Sequence, residues 1–299
     1  MARSKLSSSN GLFWAVVLVG VFLLAGNWEK ITGWFGKKDQ KKTETTVSTP
    51  TGSTPLPKED ESGAETDAAN LVSSLYPTGA KAEVVQHAAY TLGYAEPYEQ
   101  AAWVAYRLTA TMVNGRTKRE DNFRPDPDVS TGSAVPEDYR RSGYDRGHLA
   151  PAADFKSSAK LMDESFLMSN MSPQIHEFNA GIWENLESQT RRWARRFKTV
   201  YVITGPVLRD GLPRIGKYNQ VAVPEYFYKV IYLPAPENKA IGFVMRNEGS
   251  DKKVRDFAMS VAQVEKQTGL RFFTRFPASQ QAALKAEPDL LFWFAKSKK

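Results

Sequence analysis

The chain has 299 residues, of which 41% are hydrophobic, and it contains no cysteine. The missing cysteines exclude a disulfide framework, a thiol nucleophile and a thiolate metal site, and only three histidines argue against a structural zinc cluster. A formal net charge of +7 favours an anionic partner such as nucleic acid or a membrane surface, although a plain basic surface would give the same sum. The length fits one large domain with an appendage.

An almost wholly apolar segment, Gly11 to Trp28, lies near the start of the chain. Its length approaches the roughly 20 residues that cross a bilayer. The small-residue cleavage pattern of a secretory signal is missing. We therefore predict that residues 1–36 form an uncleaved membrane anchor, with a cleaved signal segment as the alternative; the length of the run disfavours a buried core helix.

Residues 37–68 are rich in Lys, Thr, Ser, Pro and Glu and contain almost no large apolar side chain. Such a segment buries too little surface to offset its ordering entropy. We predict a disordered linker here, followed by one domain over residues 69–297.

In the first half of that domain, the residue pattern predicts two strands separated by a loop. W-V-A-Y-R-L-T, within Glu99 to Thr111, alternates as a strand does. Glu120 to Glu137 is rich in Pro and polar residues and should be a loop. Phe166 to Met171 is a short apolar run that predicts a second strand, stopped by Pro173.

A long helix is predicted from Glu177 to Phe197. Its buried stripe should contain the apolar residues that recur at spacings of four and seven: Phe178, Ile182, Leu186, Trp193 and Phe197. A second face should contain residues that recur every four positions: Asn179, Trp183, Glu187, Arg191 and Arg195.

The remainder of the domain alternates strand patterns with turn residues. Strands are predicted over Thr199 to Pro206, Val221 to Pro234 and Lys239 to Met245, and a helix over Phe257 to Thr268 that Gly269 ends. Strands that are not separated by regular helices predict an α+β fold, with a mainly antiparallel sheet flanked by helices.

One stretch, Ser142 to Phe155, contains the tetrad Asp145-Arg146-Gly147-His148. It places an imidazole of near-neutral pKa two residues after a guanidinium, a pairing that suits phosphodiester chemistry. Downstream, Asn179 and Glu187 offer the oxygen donors that a hard divalent cation prefers.

These residues carry a resemblance. D-R-G-H, S-N-x-x-P-Q and N-x-x-x-W-x-x-L-E, in this order, resemble the DNA/RNA non-specific endonucleases, the family of endonuclease G and the Serratia-type nuclease. The similarity runs from about Tyr98 to Phe273. It implies a ββα-metal finger and metal-dependent hydrolysis of DNA and RNA that leaves 5′-phosphate ends.

The resemblance assigns roles to individual residues. His148 becomes the general base, and Asn179 the ligand of Mg²⁺, with Mn²⁺ as an alternative ion. Glu187 would orient water of the hydrated ion. The ordinary alternatives are a turn histidine satisfied by hydrogen bonds, an asparagine that caps its own helix, and a helical glutamate paired with Arg191.

Arginines are the expected phosphate contacts, because the guanidinium fork matches phosphate oxygens. The candidates are Arg146, Arg191 and Arg119, with Arg124 as an alternative to Arg119. Arg192, Arg195 and Arg196 fit a solvated basic face at least as well.

The neighbouring polar residues are expected to have structural roles. Asp145 should fix its turn rather than bind metal, and Asn170 resembles a family asparagine that braces the site through the backbone. His87 and His176 are interpreted as structural, although His176 could reach the water shell of the ion.

The expected partners are DNA and RNA, together with a membrane through the N-terminal segment; a homodimer is left open. Lysines after the apolar segment outnumber the basic residues before it, so the positive-inside rule does not support export. We still expect the domain on the outer side of the membrane, or secreted, because a non-specific nuclease in the cytoplasm would attack its host. The alternative function is a membrane-tethered nucleic-acid-binding or uptake protein with an inactive nuclease fold.

Overall fold

The structure is a computed structural model and describes residues 70–295. The predicted anchor, 1–36, and linker, 37–68, therefore lie outside the described residues. Between residues 70 and 295, no helix combines the length and the apolar character that crossing a bilayer requires.

A seven-stranded antiparallel sheet forms the centre of the domain, and two small two-stranded ribbons accompany it. The strands are β1 (Glu83–Gln86), β2 (Thr91–Ala95), β3 (Gln100–Thr109), β4 (Asp145–His148), β5 (Met171–Gln174), β6 (Thr199–Pro206), β7 (Arg214–Ile215), β8 (Val221–Ala222), β9 (Tyr226–Leu233), β10 (Lys239–Arg246) and β11 (Ala258–Met259). The large sheet has the order β1-β2-β3-β6-β9-β10-β11, while β4 pairs with β5 and β7 with β8.

Helices cover both faces of the large sheet. They are α1 (Ala110–Val113), α2 (Ala159–Glu164), α3 (Glu184–Phe197), α4 (Val261–Thr268), α5 (Ala278–Lys285) and α6 (Leu290–Phe294). Leu186 and Trp193 of α3 belong to one hydrophobic core, and Val264 of α4 belongs to the other. The α+β class with a mainly antiparallel sheet is confirmed.

Strand β9 shows why the sheet has two cores. Side chains alternate between the faces of a strand, and Phe227 and Ile231 accordingly join the core under α3, whereas Tyr228 and Val230 join the core under α4. Nearly every residue of this strand is therefore buried.

Several predicted elements are confirmed with small shifts of boundary. β6 spans the predicted residues, β3 and β9 lie inside the predicted strands, and β10 ends one residue later than predicted. Helix α4 ends at Gly269, whose φ of 75° is left-handed. The second predicted strand, however, is misplaced. Residues 168–170 form a 3₁₀ turn, and the strand starts at Met171 and includes Pro173. Proline is tolerated there because β5 has a partner on one side only.

The long predicted helix is broken. Phe178–Trp183 is a turn of π-helix in which Gly181 has φ −111° and ψ −111°, and α3 begins only at Glu184. The predicted buried stripe is confirmed, since Phe178, Ile182, Leu186 and Trp193 are nearly inaccessible and Phe197 packs against the same core. Because of this break, the segment that carries Asn179 does not continue the axis of α3.

Candidate active site

Strands β4 and β5 form a short ribbon that carries the D-R-G-H tetrad. Gly147 lies opposite Ser172, and a Cβ atom at Gly147 would lie 2.2 Å from the side chain of Gln174, so any larger residue would have to displace Gln174. Behind the ribbon, Asn170 donates Nδ2 to the carbonyls of Ala150 and Ser165 and accepts from the Ala150 N–H over 3.0 Å. The bracing role expected of Asn170 is confirmed.

A cleft of about 790 Å³ opens beside this ribbon. Its lining residues are Arg119, Asp121, Phe123, Pro136, Glu137, Tyr139, Arg140, Tyr144, Asp145, Arg146 and Asn179. Three of the predicted site residues, Arg119, Arg146 and Asn179, therefore share one surface. The other three, His148, Glu187 and Arg191, are not part of the lining.

His148 lies behind the cleft wall. Its imidazole is 5.7 Å from the ring of Phe123 and 5.1 Å from that of Phe166, centroid to centroid, and the residue is only 8% exposed. Nε2 is buried without a hydrogen-bond partner. Burial, followed by the charges of Arg119 and Arg146, lowers the pKa of His148 to about 3. The imidazole is thus neutral near pH 7, which is the protonation state that a general base requires.

The two cleft arginines stack on the rings that enclose His148. The guanidinium carbon of Arg146 is 4.1 Å from the centroid of Phe123, and that of Arg119 is 5.1 Å from the centroid of Phe166. Arg119 also donates Nε to Asp121 over 2.5 Å. Both arginines therefore border the cleft, and a guanidinium fork matches phosphate oxygens in geometry.

Arg124, the alternative to Arg119, is engaged elsewhere. Its Nη2 donates to Asp163 over 2.7 Å, and its Nη1 donates to the carbonyls of Asn122 and Asp163. It does not line the cleft, and the choice between the two residues therefore favours Arg119.

Asp145 connects two residues of the neighbouring segment. Its Oδ2 accepts from Asn179 Nδ2 over 2.9 Å, and the same oxygen lies 2.9 Å from His176 Nδ1. The expectation that Asp145 fixes its own turn is wrong. Ser142 does so, since its Oγ accepts from the N–H of Tyr144 over 3.1 Å.

The donor set around Asn179 fits a hard cation. A carboxylate only accepts hydrogen bonds, so the contact with Asp145 uses the amide nitrogen of Asn179 and leaves Oδ1 as the free ligand atom. One amide oxygen beside a polar cleft suits Mg²⁺, which retains several waters and requires few protein ligands. The half-buried position of Asn179 leaves room for that hydration shell.

Arg191, expected to contact phosphate, is buried instead. Its Nη1 pairs with Asp154 over 3.1 Å, and its Nη2 donates to Ser188 over 2.8 Å and to Glu184 over 3.4 Å. Asp154 in turn accepts from the hydroxyl of Tyr106 over 2.8 Å. Because both terminal nitrogens of the guanidinium are engaged within the protein, these contacts favour a structural role for Arg191 over the expected contact with phosphate.

Glu187 is half-buried on α3, and its carboxylate has no hydrogen-bond partner among residues 70–295. The alternative pairing with Arg191 is not formed, since that arginine turns to Glu184. Burial raises the pKa of Glu187 to about 7, although the charges of Lys229 and Arg191 oppose the shift. A carboxylate poised near neutrality is typical of functional sites.

A separate group of His87, Asp126 and Asp128 has the composition and spacing of a metal site. Protein donors already occupy Asp126, however. Its Oδ2 lies 2.8 Å from His87 Nε2 and accepts from Ser169 Oγ, and its Oδ1 accepts from the N–H of Asp128. A cation would have to displace these bonds, and the arrangement agrees with a structural role for His87.

Sequence reasoning missed part of the site. The aromatic wall of Phe123, Tyr139 and Tyr144 lies in a loop without periodicity, so no local pattern marks it. Lys229 could have been recognised from the sequence as unusual. It is the charged residue in Y-F-Y-K-V-I-Y, and the alternation of side chains along a strand places it on a face that points into the core.

Comparisons with known proteins agree with this geometry. The family described as DNA/RNA non-specific endonuclease matches residues 67–279. The mitochondrial nuclease EXOG of Danio rerio is 38% identical over 212 residues, which are 65% of this chain and 61% of that protein. Nuclease C1 of Cunninghamella echinulata var. echinulata is 36% identical over 218 residues, 67% of this chain and 86% of that protein.

A solved structure shares the fold. The crystal structure of an EndoG/EndoGI complex matches with a TM-score of 0.64 and 32% identity, over 74% of this chain and 96% of that chain. The chain spans less than two thirds of the length of the Danio rerio relative, but it covers nearly all of the matched structure.

Proposed function

The chain belongs to the DNA/RNA non-specific endonuclease family, and we propose that it is a metal-dependent endonuclease that hydrolyses DNA and RNA without sequence preference. One observation carries the proposal. Arg119, Arg146 and Asn179 line a single cleft, and the neutral imidazole of His148 lies directly behind the ring of Phe123 in its wall.

In the proposed reaction His148 accepts a proton from the attacking water. The water oxygen forms a bond to phosphorus and the bond from phosphorus to the 3′ oxygen breaks. The 3′ oxygen takes up a proton from solvent, so the products carry a 5′-phosphate and a 3′-hydroxyl. Arg146 and Arg119 hold the phosphate oxygens. Mg²⁺ or Mn²⁺ held at Asn179 would stabilise negative charge on the phosphate and on the leaving oxygen. Glu187 would orient water of the hydrated ion.

Binding should depend on phosphates rather than on bases. The cleft presents guanidinium groups and aromatic rings, and its lining contains no helix that could enter a DNA groove. Affinity should therefore fall steeply with salt and vary little with sequence. Anchoring of the domain on the outer side of a membrane remains a prediction, and it depends on residues 1–69. The homodimer also remains a prediction.

Digestion of plasmid DNA and of a structureless RNA tests the proposal. With Mg²⁺ the wild type should cut both substrates; with EDTA, or with His148→Ala, cutting should stop. Arg271→Ala is the matched control, because Arg271 is exposed and pairs with Glu265 of α4, on the opposite face of the sheet. Binding of nucleic acid without cutting under every condition would instead favour the inactive binding or uptake protein.

A further inference from the structure

Lys229 is a charged residue in the core beneath α3. It lies on β9, is 1% exposed, and shares its face of the sheet with Phe227 and Ile231. An ammonium removed from water costs free energy unless it is paired. Apolar residues occupy the positions two before and two after it, so packing alone does not explain a lysine here.

The contacts of Lys229 leave much of its charge unneutralised. Its Nζ donates to the hydroxyl of Thr204 on the adjacent strand over 3.1 Å and lies 4.7 Å from the ring centroid of Trp183. Within residues 70–295 no carboxylate oxygen lies within 4.0 Å of this Nζ. An ammonium has three donors, and one neutral acceptor and one aromatic ring satisfy them only in part.

The ammonium of Lys229 lies under the start of α3, where it contacts Trp183. Trp183, which the ammonium contacts, precedes Glu187 by one helical turn. The nearby charges on other elements are already paired, because Arg191 holds Asp154 and also reaches Glu184. Of all the charges that act on the Glu187 carboxyl, that of Lys229 has the largest effect, ahead of Arg191, Asp154 and Glu184.

We propose that Lys229 is a positioning residue for the nuclease reaction, whose buried ammonium acts on the carboxylate of Glu187 from beneath α3. The proposal rests on the proposed function of the cleft. An ionised Glu187 accepts hydrogen bonds from water, whereas a protonated carboxyl would have to donate one. Lys229 acts through Glu187 and does not reach the cleft lining.

The pH dependence of cutting separates this role from a purely structural one. In Lys229→Met the acid limb of kcat should move to higher pH by at least one unit, because the positive charge that favours ionised Glu187 is gone. The KM for plasmid DNA should change less than twofold. Lys229→Arg should return the limb toward its wild-type position. An unmoved limb in Lys229→Met would overturn the proposal.

A second readout needs neither metal nor substrate. ¹³C NMR of glutamate carboxyls follows the titration of Glu187, whose signal is assigned by its loss in Glu187→Gln. Its midpoint should rise in Lys229→Met; an equal midpoint in both proteins overturns the proposal even if the wild type fails to cut nucleic acid, an outcome that would refute only the proposed function. If Lys229→Met does not fold, Lys229→Gln serves in both experiments, with the same outcomes.

Discussion

Asn179 donates its amide nitrogen to Asp145 Oδ2 over 2.9 Å, and the same oxygen lies 2.9 Å from His176 Nδ1. Asp145 belongs to β4 and the other two residues to the segment after β5, so the contact joins the two halves of the finger. The contact holds Nδ2 of Asn179, so that the amide oxygen Oδ1 is the atom that can face a cation. Groups that orient a ligand in this way usually affect metal affinity strongly.

Replacement of Asp145 should therefore weaken the response to metal. In Asp145→Ala the amide of Asn179 can rotate, and the Mg²⁺ concentration for half-maximal cutting should rise about 10- to 100-fold. Asp145→Asn keeps an acceptor oxygen and should show a smaller rise. A Mg²⁺ titration of plasmid cutting gives both values, and equal titration curves for Asp145→Ala and the wild type would show that Asp145 does not orient the ligand.

The sequence predicted what depends on local patterns. Alternation located β6, and the spacings of four and seven identified the buried stripe from Phe178 to Phe197, because both follow from neighbouring residues. The partners of Asp145 and Arg191 could not be predicted in the same way. Asn179 is 34 positions from Asp145, and Asp154 is 37 positions from Arg191. Judged from the sequence, several arginines could bind a phosphate equally well. Only the folded structure shows which of them already pairs with a carboxylate.

The acid limb of the pH–rate profile should belong to Glu187 rather than to His148. With its pKa lowered to about 3, His148 is neutral throughout pH 5 to 8, whereas Glu187, raised to about 7, loses its proton within that window. In the free enzyme kcat/KM should rise with pH through that window. Glu187→Gln should cut more slowly and show a flat profile there. A limb that persists in Glu187→Gln would assign it to another group.

Arg191 should matter for stability. In Arg191→Ala the buried carboxylate of Asp154 loses its partner, and breaking such a pair costs about 3–5 kcal/mol of the free energy of unfolding. Arg271→Ala removes an exposed arginine and should cost roughly 1 kcal/mol at most. Urea unfolding of the two variants beside the wild type measures both. Similar small losses would mean that Asp154 finds another partner.

Arg146 should matter for binding. It is exposed, and it contacts the ring of Phe123. Arg146→Ala should weaken DNA binding for all sequences alike and lower the slope of log affinity against log salt by about 1. Fluorescence anisotropy in EDTA measures binding without cutting. Arg271→Ala should keep the wild-type slope; an unchanged slope in Arg146→Ala would remove this residue from the phosphate contacts.

His87 should stabilise the fold at low pH. Burial alone would lower the pKa of His87, but its hydrogen bond to Asp126 and the charges of Asp126 and Asp128 raise it above 6.5. The charged form is therefore favoured in the folded protein. Its contribution is fully present below the unfolded value of 6.5 and is lost as pH rises through the higher folded value.

The urea midpoints of the wild type and His87→Gln test this linkage. The difference in unfolding free energy should be larger at pH 5.5 than at pH 8.5. The comparison cancels the opposite effect of His148, which both proteins share. Equal differences at the two pH values would show that folding leaves the pKa of His87 unchanged.

The proton transfer from the attacking water to His148 is tested by the single-turnover rate of plasmid nicking with Mg²⁺ in His148→Ala, with and without added imidazole. We expect a loss of about 10²- to 10⁴-fold, partly restored by imidazole that enters the space between Phe123 and Phe166. A His148→Ala rate within tenfold of the wild type would contradict it.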